Sequence, residues 1–201
     1  TVFGNCGVGF APAQPDSHDW LIQLMEGVED IPGAALAEGI EWNWETFPEY
    51  LDALEKMPRV MDIATQVPHG SVRAYVMGER GARNEDPTAN DLIAMAQIVQ
   101  EGIEAGALGF TSSRTMLHRA LDGEPVPGTF AGAEELIAMG KAVADAGGGV
   151  VEVASDIGLG GLEGNFGSDI DWMRALANDY GLTVTYALNQ ADRHPQQWRE
   201  L

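Results

Sequence analysis

The sequence PTANDLIAMAQIVQEGIEAGALGFTSSR, residues 87–114, decides the fold class. Pro87-Thr88 opens a run whose apolar side chains recur at helical spacing, which predicts a helix over residues 89–105. Gly106 ends this helix, and the apolar run at residues 107–111 predicts a buried strand whose exit, Ser-Ser-Arg, is polar. The stretch is therefore one helix–strand unit of an α/β protein.

The same alternation continues along the rest of the chain. The predicted strands lie within the first ten residues and at 60–67, 107–111, 150–154 and 182–188, and the predicted helices lie at 46–57, 89–105, 133–146 and 169–180. Residues 26–46 show no sustained period and predict a long loop. Such alternation predicts parallel strands joined by helical crossovers, so we expect either an open doubly wound sheet or a (β/α)8 barrel.

Composition and charge exclude several classes of partner. With 45% hydrophobic residues, the 201-residue chain can bury a core. Its 31 acidic and 11 basic residues give a net charge of −20, which repels nucleic acid and anionic membrane surfaces. No apolar run approaches the ~20 residues that cross a bilayer, and no secretory leader opens the chain. We therefore expect a cytoplasmic protein that acts on a small molecule.

The only cysteine of the chain, Cys6, lies in a glycine-rich turn after the first β-like run. In α/β proteins the turn after the carboxyl end of a strand is where ligands and catalytic groups collect. Glycines on both sides let the backbone turn sharply and leave the sulfur unscreened. A thiolate here is suited to be a soft metal ligand or a nucleophile, whereas many free cysteines are inert buried hydrophobes. Composition alone does not choose between these roles.

Two further strand exits carry candidate substrate-binding residues. His69 follows the second predicted strand as Cys6 follows the first, although a lone histidine is more often structural. Arg114 follows the third strand, and its planar guanidinium can form two hydrogen bonds to a substrate carboxylate. A surface ion pair is the alternative for Arg114. Arg73 and His118 are weaker candidates by the same logic.

Three common sequence signatures are missing. The glycine-rich residues 158–168 follow a strand and precede a helix, but Glu163 stands where a dinucleotide fingerprint needs glycine. No Gly-Lys-Ser/Thr follows for a nucleoside triphosphate, and no Gly-x-Ser-x-Gly elbow occurs. We therefore expect neither a nucleotide-binding protein nor a common serine hydrolase.

Several motifs resemble the D-aminoacylase (N-acyl-D-amino-acid deacylase) group of the amidohydrolase superfamily. They occupy residues 4–12, 24–32, 66–73 and 106–114, and the similarity covers nearly the whole chain. The resemblance implies a (β/α)8 TIM-type barrel of which about five βα units are present. Residues 1–201 would then be part of one catalytic barrel domain, with its first strand upstream of Thr1 and its C-terminal strands beyond Leu201.

The resemblance also implies a chemistry. Members of the group hydrolyse non-peptide C–N bonds with zinc, and the cysteine of their Gly-Asn-Cys-Gly motif, here Cys6, is a zinc ligand. Their His-x-His pair and catalytic aspartate would lie outside this chain. The group also has histidine ligands at the ends of two strands that here read residues 150–156 and 184–190, neither of which contains histidine. The oxygen ligands that remain at those ends are Glu152, Asp156 and Asn189.

Three other functions stay open at this point. In the first, a divergent amidohydrolase-like barrel acts on another amide substrate. In the second, a barrel that has lost metal ligands binds a small ligand or a partner without turnover. In the third, Cys6 is a nucleophile and His69 is its base, since both follow strands. The strand exits should surround one common cavity, because βα-loops converge at one end of a parallel barrel. The residues expected to line it are Cys6, His69, Ser112, Arg114, Ser155 and Asn189.

Overall fold

The computed structural model describes residues 1–157, 166–189, 192 and 195–199. The strands are β1 (Val2–Phe3), β2 (Ala64–Thr65), β3 (Val67–Pro68), β4 (Gly109–Arg114), β5 (Val150–Ser155) and β6 (Thr183–Tyr186). The helices are α1 (His18–Glu29), α2 (Gly33–Gly39), α3 (Phe47–Lys56), α4 (His69–Met77), α5 (Glu79–Ala82), α6 (Ala89–Glu104), α7 (Ala133–Asp145) and α8 (Phe166–Tyr180), and a 3-10 turn covers Gln197–Arg199. None of the described helices has the length and apolar character that spanning a membrane requires.

All strands pair in parallel and follow one another in chain order. β1 pairs with β2, and β3, β4, β5 and β6 form a second ladder. Only Gln66 separates β2 from β3, and its backbone N–H donates to the carbonyl of Phe3 at 3.1 Å, so the two ladders are continuous. The predicted α/β class with parallel strands is confirmed. Sequential order without reversal is the arrangement of a barrel rather than of a doubly wound sheet.

The helices cover one face of this sheet. Phe110, Val151 and Val153 are buried in the main apolar cluster together with the inner side chains of α6, α7 and α8. Because side chains alternate along a strand, Thr111 and Glu152, which are register partners, point to the opposite face. That opposite face is the interior of the barrel.

Two helices begin with complete capping boxes. The Thr46 hydroxyl accepts from the backbone N–H of Glu49, and Thr88 does the same with Asp91, while each carboxylate accepts from the backbone of its threonine. These caps explain why α3 and α6 start where the sequence predicts. Removing such a cap costs about 1 kcal/mol.

The structure corrects three element boundaries. The second strand begins at Ala64 rather than at residue 60, because residues 60 and 61 are exposed. β4 continues to Arg114, since residues 112–114 still pair with β5. The loop predicted for residues 26–46 contains the end of α1 and all of α2. Residues 158–165 of the glycine-rich connection lie outside the described part of the chain.

Candidate active site

The glycine-rich turn after β1 lies directly across the ends of the neighbouring strands. Gly7 has a φ of +80°, and a Cβ there would stand 2.4 Å from the backbone nitrogen of Ser113 at the end of β4. The backbone N–H of Gly70, at the start of α4, donates to the carbonyl of Gly7 at 2.9 Å. Only glycine permits this close crossing, and the crossing holds Cys6 at the carboxyl end of the sheet.

The thiol of Cys6 contacts a carboxylate that was not anticipated from the sequence. Its Sγ lies 3.7 Å from Oε1 of Glu29, the last residue of α1. Burial raises the pKa of the Cys6 thiol, and the negative charge of Glu29 adds to that effect. Without a cation beside it the thiol therefore stays protonated near neutral pH. A cation between sulfur and carboxylate would reverse this balance.

Cys6 and Glu29 line a cavity of about 560 Å³ at the β1 edge of the sheet. This volume lies in the range of sites that enclose small molecules. The polar wall comprises Asn5, Cys6, Glu29, Thr65 and Gln66, and the apolar wall includes Phe3, Phe10, Phe47, Tyr50 and Leu54. Of the six residues that were expected to surround a common cavity, only Cys6 lines this one.

Gln66 connects this cavity to the barrel interior. Its side chain is 3% exposed, and its Nε2 donates to Oε2 of Glu152 on β5 at 2.5 Å. Glu152, one of the oxygen ligands considered from the sequence, is thus bonded to Gln66. Oε1 of Gln66 has no hydrogen-bond partner among the residues that the structure describes. A buried acceptor without a partner is costly, so this oxygen is suited to a donor that a ligand brings.

His118 belongs to the same end of the sheet. Its Nδ1 lies 2.9 Å from the hydroxyl of Ser113, the β4 residue that Gly7 crosses. Asp156, just beyond β5, accepts from the hydroxyl of Thr115 and from a backbone N–H of the same loop, and so holds the loop that carries His118. Burial lowers the pKa of His118, while the charges of Glu29 and Asp156 oppose the shift. The imidazole is therefore neutral near pH 7 and lies within electrostatic range of both carboxylates.

His69 occupies a different environment from Cys6. It is 0% exposed, with Nδ1 2.8 Å from the hydroxyl of Ser112 and Nε2 2.8 Å from Oε1 of Glu135 on α7. Burial lowers the pKa of His69, although Glu135 opposes this, so the imidazole is neutral and donates from Nε2. Burial alone would raise the pKa of Glu135, but His69 and Arg73 lower it. The proposed Cys6–His69 dyad is not formed, since both ring nitrogens have other partners.

Arg114 is likewise bonded internally. It is 8% exposed, and its Nε and Nη2 donate to Oδ1 of Asp169 on α8 at 3.2 and 2.9 Å. Nη1 donates to the carbonyls of Thr129 and Ala131 at 2.6 and 2.8 Å. These bonds tie the end of β4 to α8 and to the loop before α7. Substrate contact by Arg114 or His69 stays a prediction, and their bonds favour a role in positioning.

The predicted ring of strand-exit residues is only partly brought together. Of its members, Cys6 lines the cavity, whereas Ser112 and Arg114 face the helices. The Ser155 hydroxyl donates to the carbonyl of Ala187, and the backbone N–H of Asn189 donates to Ile157. The reason is the alternation of side chains, which sends every second residue of β4 away from the barrel interior. Glu29 and Gln66 line the cavity together with Cys6 instead.

The described residues include two adjacent side chains of the kinds that bind zinc. Within residues 1–157 and 166–189, no group of three or more His, Cys, Asp or Glu side chains is arranged around one point. The thiol of Cys6 and the carboxylate of Glu29 are donors of the kinds that zinc accepts, and they are adjacent. These two side chains therefore fit a zinc ion, with further ligands required from elsewhere in the protein.

Comparisons with known proteins place these features in context. The family model described as "Amidohydrolase family" matches residues 1–201. The chain is 32% identical to D-aminoacylase of Alcaligenes xylosoxydans xylosoxydans over 113 residues, which is 55% of this chain and 20% of that protein. It is 30% identical to N-acyl-D-glutamate deacylase of the same organism over 115 residues, again 55% of this chain and 20% of that protein.

The fold is also similar to a solved structure. That structure is N-acyl-D-glutamate deacylase from Bordetella bronchiseptica, complexed with zinc and a phosphonate inhibitor. The TM-score is 0.64 at 23% identity, and the match covers 99% of this chain and 37% of that one. The chain thus spans about a fifth of the curated relatives and about a third of the solved one. The match confirms the predicted barrel arrangement.

Proposed function

Because the chain belongs to the amidohydrolase family, we propose that the full-length protein is a zinc-dependent hydrolase that cleaves the N-acyl bond of N-acyl-D-amino acids. Residues 1–201 would form part of one catalytic (β/α)8 barrel domain, with its first strand and its last strands supplied by chain outside this range. The observation that carries the proposal is the placement of Cys6, which lies at the carboxyl end of the sheet and lines a cavity of small-molecule size.

The residues of this chain have definable tasks in that reaction. Cys6 would be one ligand of the zinc ion, which when bound supplies Lewis acidity toward water and toward the amide carbonyl. The catalytic residue is not assigned within residues 1–201. His118 is held neutral beside Ser113 and can accept a proton at the mouth of the barrel.

The proposed substrate class, acylated D-amino acids, rests on the names of the relatives. D-aminoacylase and N-acyl-D-glutamate deacylase are named for acylated D-amino acids, and the Bordetella structure carries a mimic of the reaction's tetrahedral intermediate. A different amide is the second candidate, because the ends of β5 and β6 that correspond to histidine positions in the group have none. We propose the acylated D-amino acid first, since two relatives share it.

The test uses purified full-length protein and a panel of N-acetyl-D- and N-acetyl-L-amino acids, with released amine as the readout. We expect hydrolysis of the D series, loss of activity on chelation, recovery with zinc and loss in Cys6→Ala. Undiminished hydrolysis by a metal-free preparation would refute the metal-dependent mechanism. Inactivation by iodoacetamide with resistance to chelators would instead indicate a cysteine nucleophile. A pure protein without turnover on any amide would leave a binding function.

A further inference from the structure

The contact between Cys6 and Glu29 is fixed from both sides. The glycine-rich turn that carries Cys6 is locked against β4 at Gly7, as described above. Helix α1, which ends in Glu29, is locked by Gly27, where a Cβ would lie 2.6 Å from the carbonyl oxygen of Arg119. Two segments held by close backbone crossings therefore bring thiol and carboxylate together. The crossings fix the backbone positions of the two residues, and the exposed side chain of Glu29 completes the contact.

The separation of the two side chains has the value that a shared metal ion requires. Zinc binds sulfur at about 2.3 Å and carboxylate oxygen at about 2.0–2.2 Å, so two tetrahedral ligand atoms lie about 3.5–3.7 Å apart. The distance from Sγ of Cys6 to Oε1 of Glu29 is 3.7 Å. A weak S–H donor facing a carboxylate also gives this distance. The two explanations differ in what the pair does when a metal is supplied.

A second observation in the same cavity points to a bound group. Gln66 lines the cavity with Cys6 and Glu29, and its side chain is almost fully buried. Because Glu152 can only accept, the bond to it fixes Nε2 of Gln66 on that side and leaves Oε1 as an acceptor. That oxygen has no partner among the described residues. It is therefore available to a donor held at the cavity, such as a water molecule on a metal ion.

We propose that Glu29 is a direct metal ligand together with Cys6, and that Gln66 accepts a hydrogen bond from a group bound to that metal. The carboxylate would supply a donor that the ends of β5 and β6 lack, because residues 150–156 and 184–190 contain no histidine. This inference rests on the proposed zinc-dependent function. It adds a ligand that neither the cysteine motif nor the strand-end pattern indicates.

The experiment measures metal binding rather than turnover. Full-length wild type, Glu29→Gln and the matched control Glu26→Gln are stripped of metal and titrated with Zn²⁺ against a fluorescent chelator, and with Co²⁺ while the visible spectrum is recorded. Glu26 lies on the same helix but does not line the cavity. Loss of an outer partner of a metal ligand costs about 10–100-fold in affinity, so loss of a direct ligand should cost about 100-fold or more.

The expected pattern is specific. Glu29→Gln should bind zinc far more weakly than wild type and shift the ligand-field bands of Co²⁺ while keeping the sulfur-to-cobalt band, and Glu26→Gln should match wild type. Wild-type affinity and an unchanged Co²⁺ spectrum in Glu29→Gln would overturn the inference while leaving a zinc enzyme intact. Failure of the wild type to bind either metal would overturn the proposed function and the inference together.

Discussion

Gly7→Ala should destabilise the protein strongly, because this glycine is where the Cys6 turn crosses the end of β4. The new Cβ would lie 2.4 Å from the nitrogen of Ser113 and 2.6 Å from the carbonyl carbon of Ser112, both of which are backbone atoms in a paired strand. The φ of +80° adds conformational strain for any L-residue with a side chain. A left-handed backbone costs about 1–2 kcal/mol and overpacking about 1–3 kcal/mol.

We therefore expect Gly7→Ala to lower the free energy of unfolding by about 2–5 kcal/mol. Urea denaturation of the full-length protein, followed by intrinsic fluorescence, measures this change. Gly39→Ala is the matched control, since a Cβ there meets no atom within 4 Å and its φ is not positive. It should change stability by at most about 1 kcal/mol. Equal unfolding free energies for the two variants would show that the turn does not lie on β4 as described.

The remaining predictions concern buried charge and helix capping. Glu135→Ala should cost about 3–5 kcal/mol, because it leaves the buried Arg73 charge without its partner. Since the pKa of Glu135 is lowered, its contribution should be complete above the ordinary value of 4.5 and be lost as the pH falls through the lowered value. Thr88→Ala should cost about 1 kcal/mol through the α6 capping box. The hydrogen bond from Arg80, together with the backbone N–H of Thr88, lowers the pKa of Asp91 to about 2 from 3.8, so the carboxylate half of this box should weaken between those two pH values.

Chemical denaturation from pH 7 to pH 2 tests these expectations. Glu134→Ala, an exposed neighbour in the first turn of α7, is the control for Glu135, and Asn90→Ala is the control for Thr88. An unchanged midpoint for Glu135→Ala would contradict the buried ion pair. A loss in Thr88→Ala no larger than that in Asn90→Ala would contradict the capping box.

At the site, local sequence features indicate Cys6 but neither Glu29 nor Gln66, which line the cavity with it. Cys6 was identified because glycines flank it after a β-like run, and both features are local. Glu29 was not, because it lies 23 residues further along in a stretch that predicted a loop. The sequence indicates only that Gln66 belongs to a β-rich run, because nothing local shows that one face of that strand opens into a cavity. The available signal was a long amide side chain between Thr65 and Val67, directly before the end of the strand.

The sequence by itself determined the alternation of helices and strands, because helical periodicity, capping threonines and glycine stops act within one or two turns of the chain. It also determined that a lone cysteine follows the first strand. The tertiary structure alone decided which side each strand residue faces. A shift of one residue in register reverses that side, so the pairing of β4 with β5 and the packing of α7 sent His69, Ser112 and Arg114 toward the helices. The contact of Cys6 with Glu29 was likewise decided by backbone crossings at Gly7 and Gly27, which join segments that are distant in sequence.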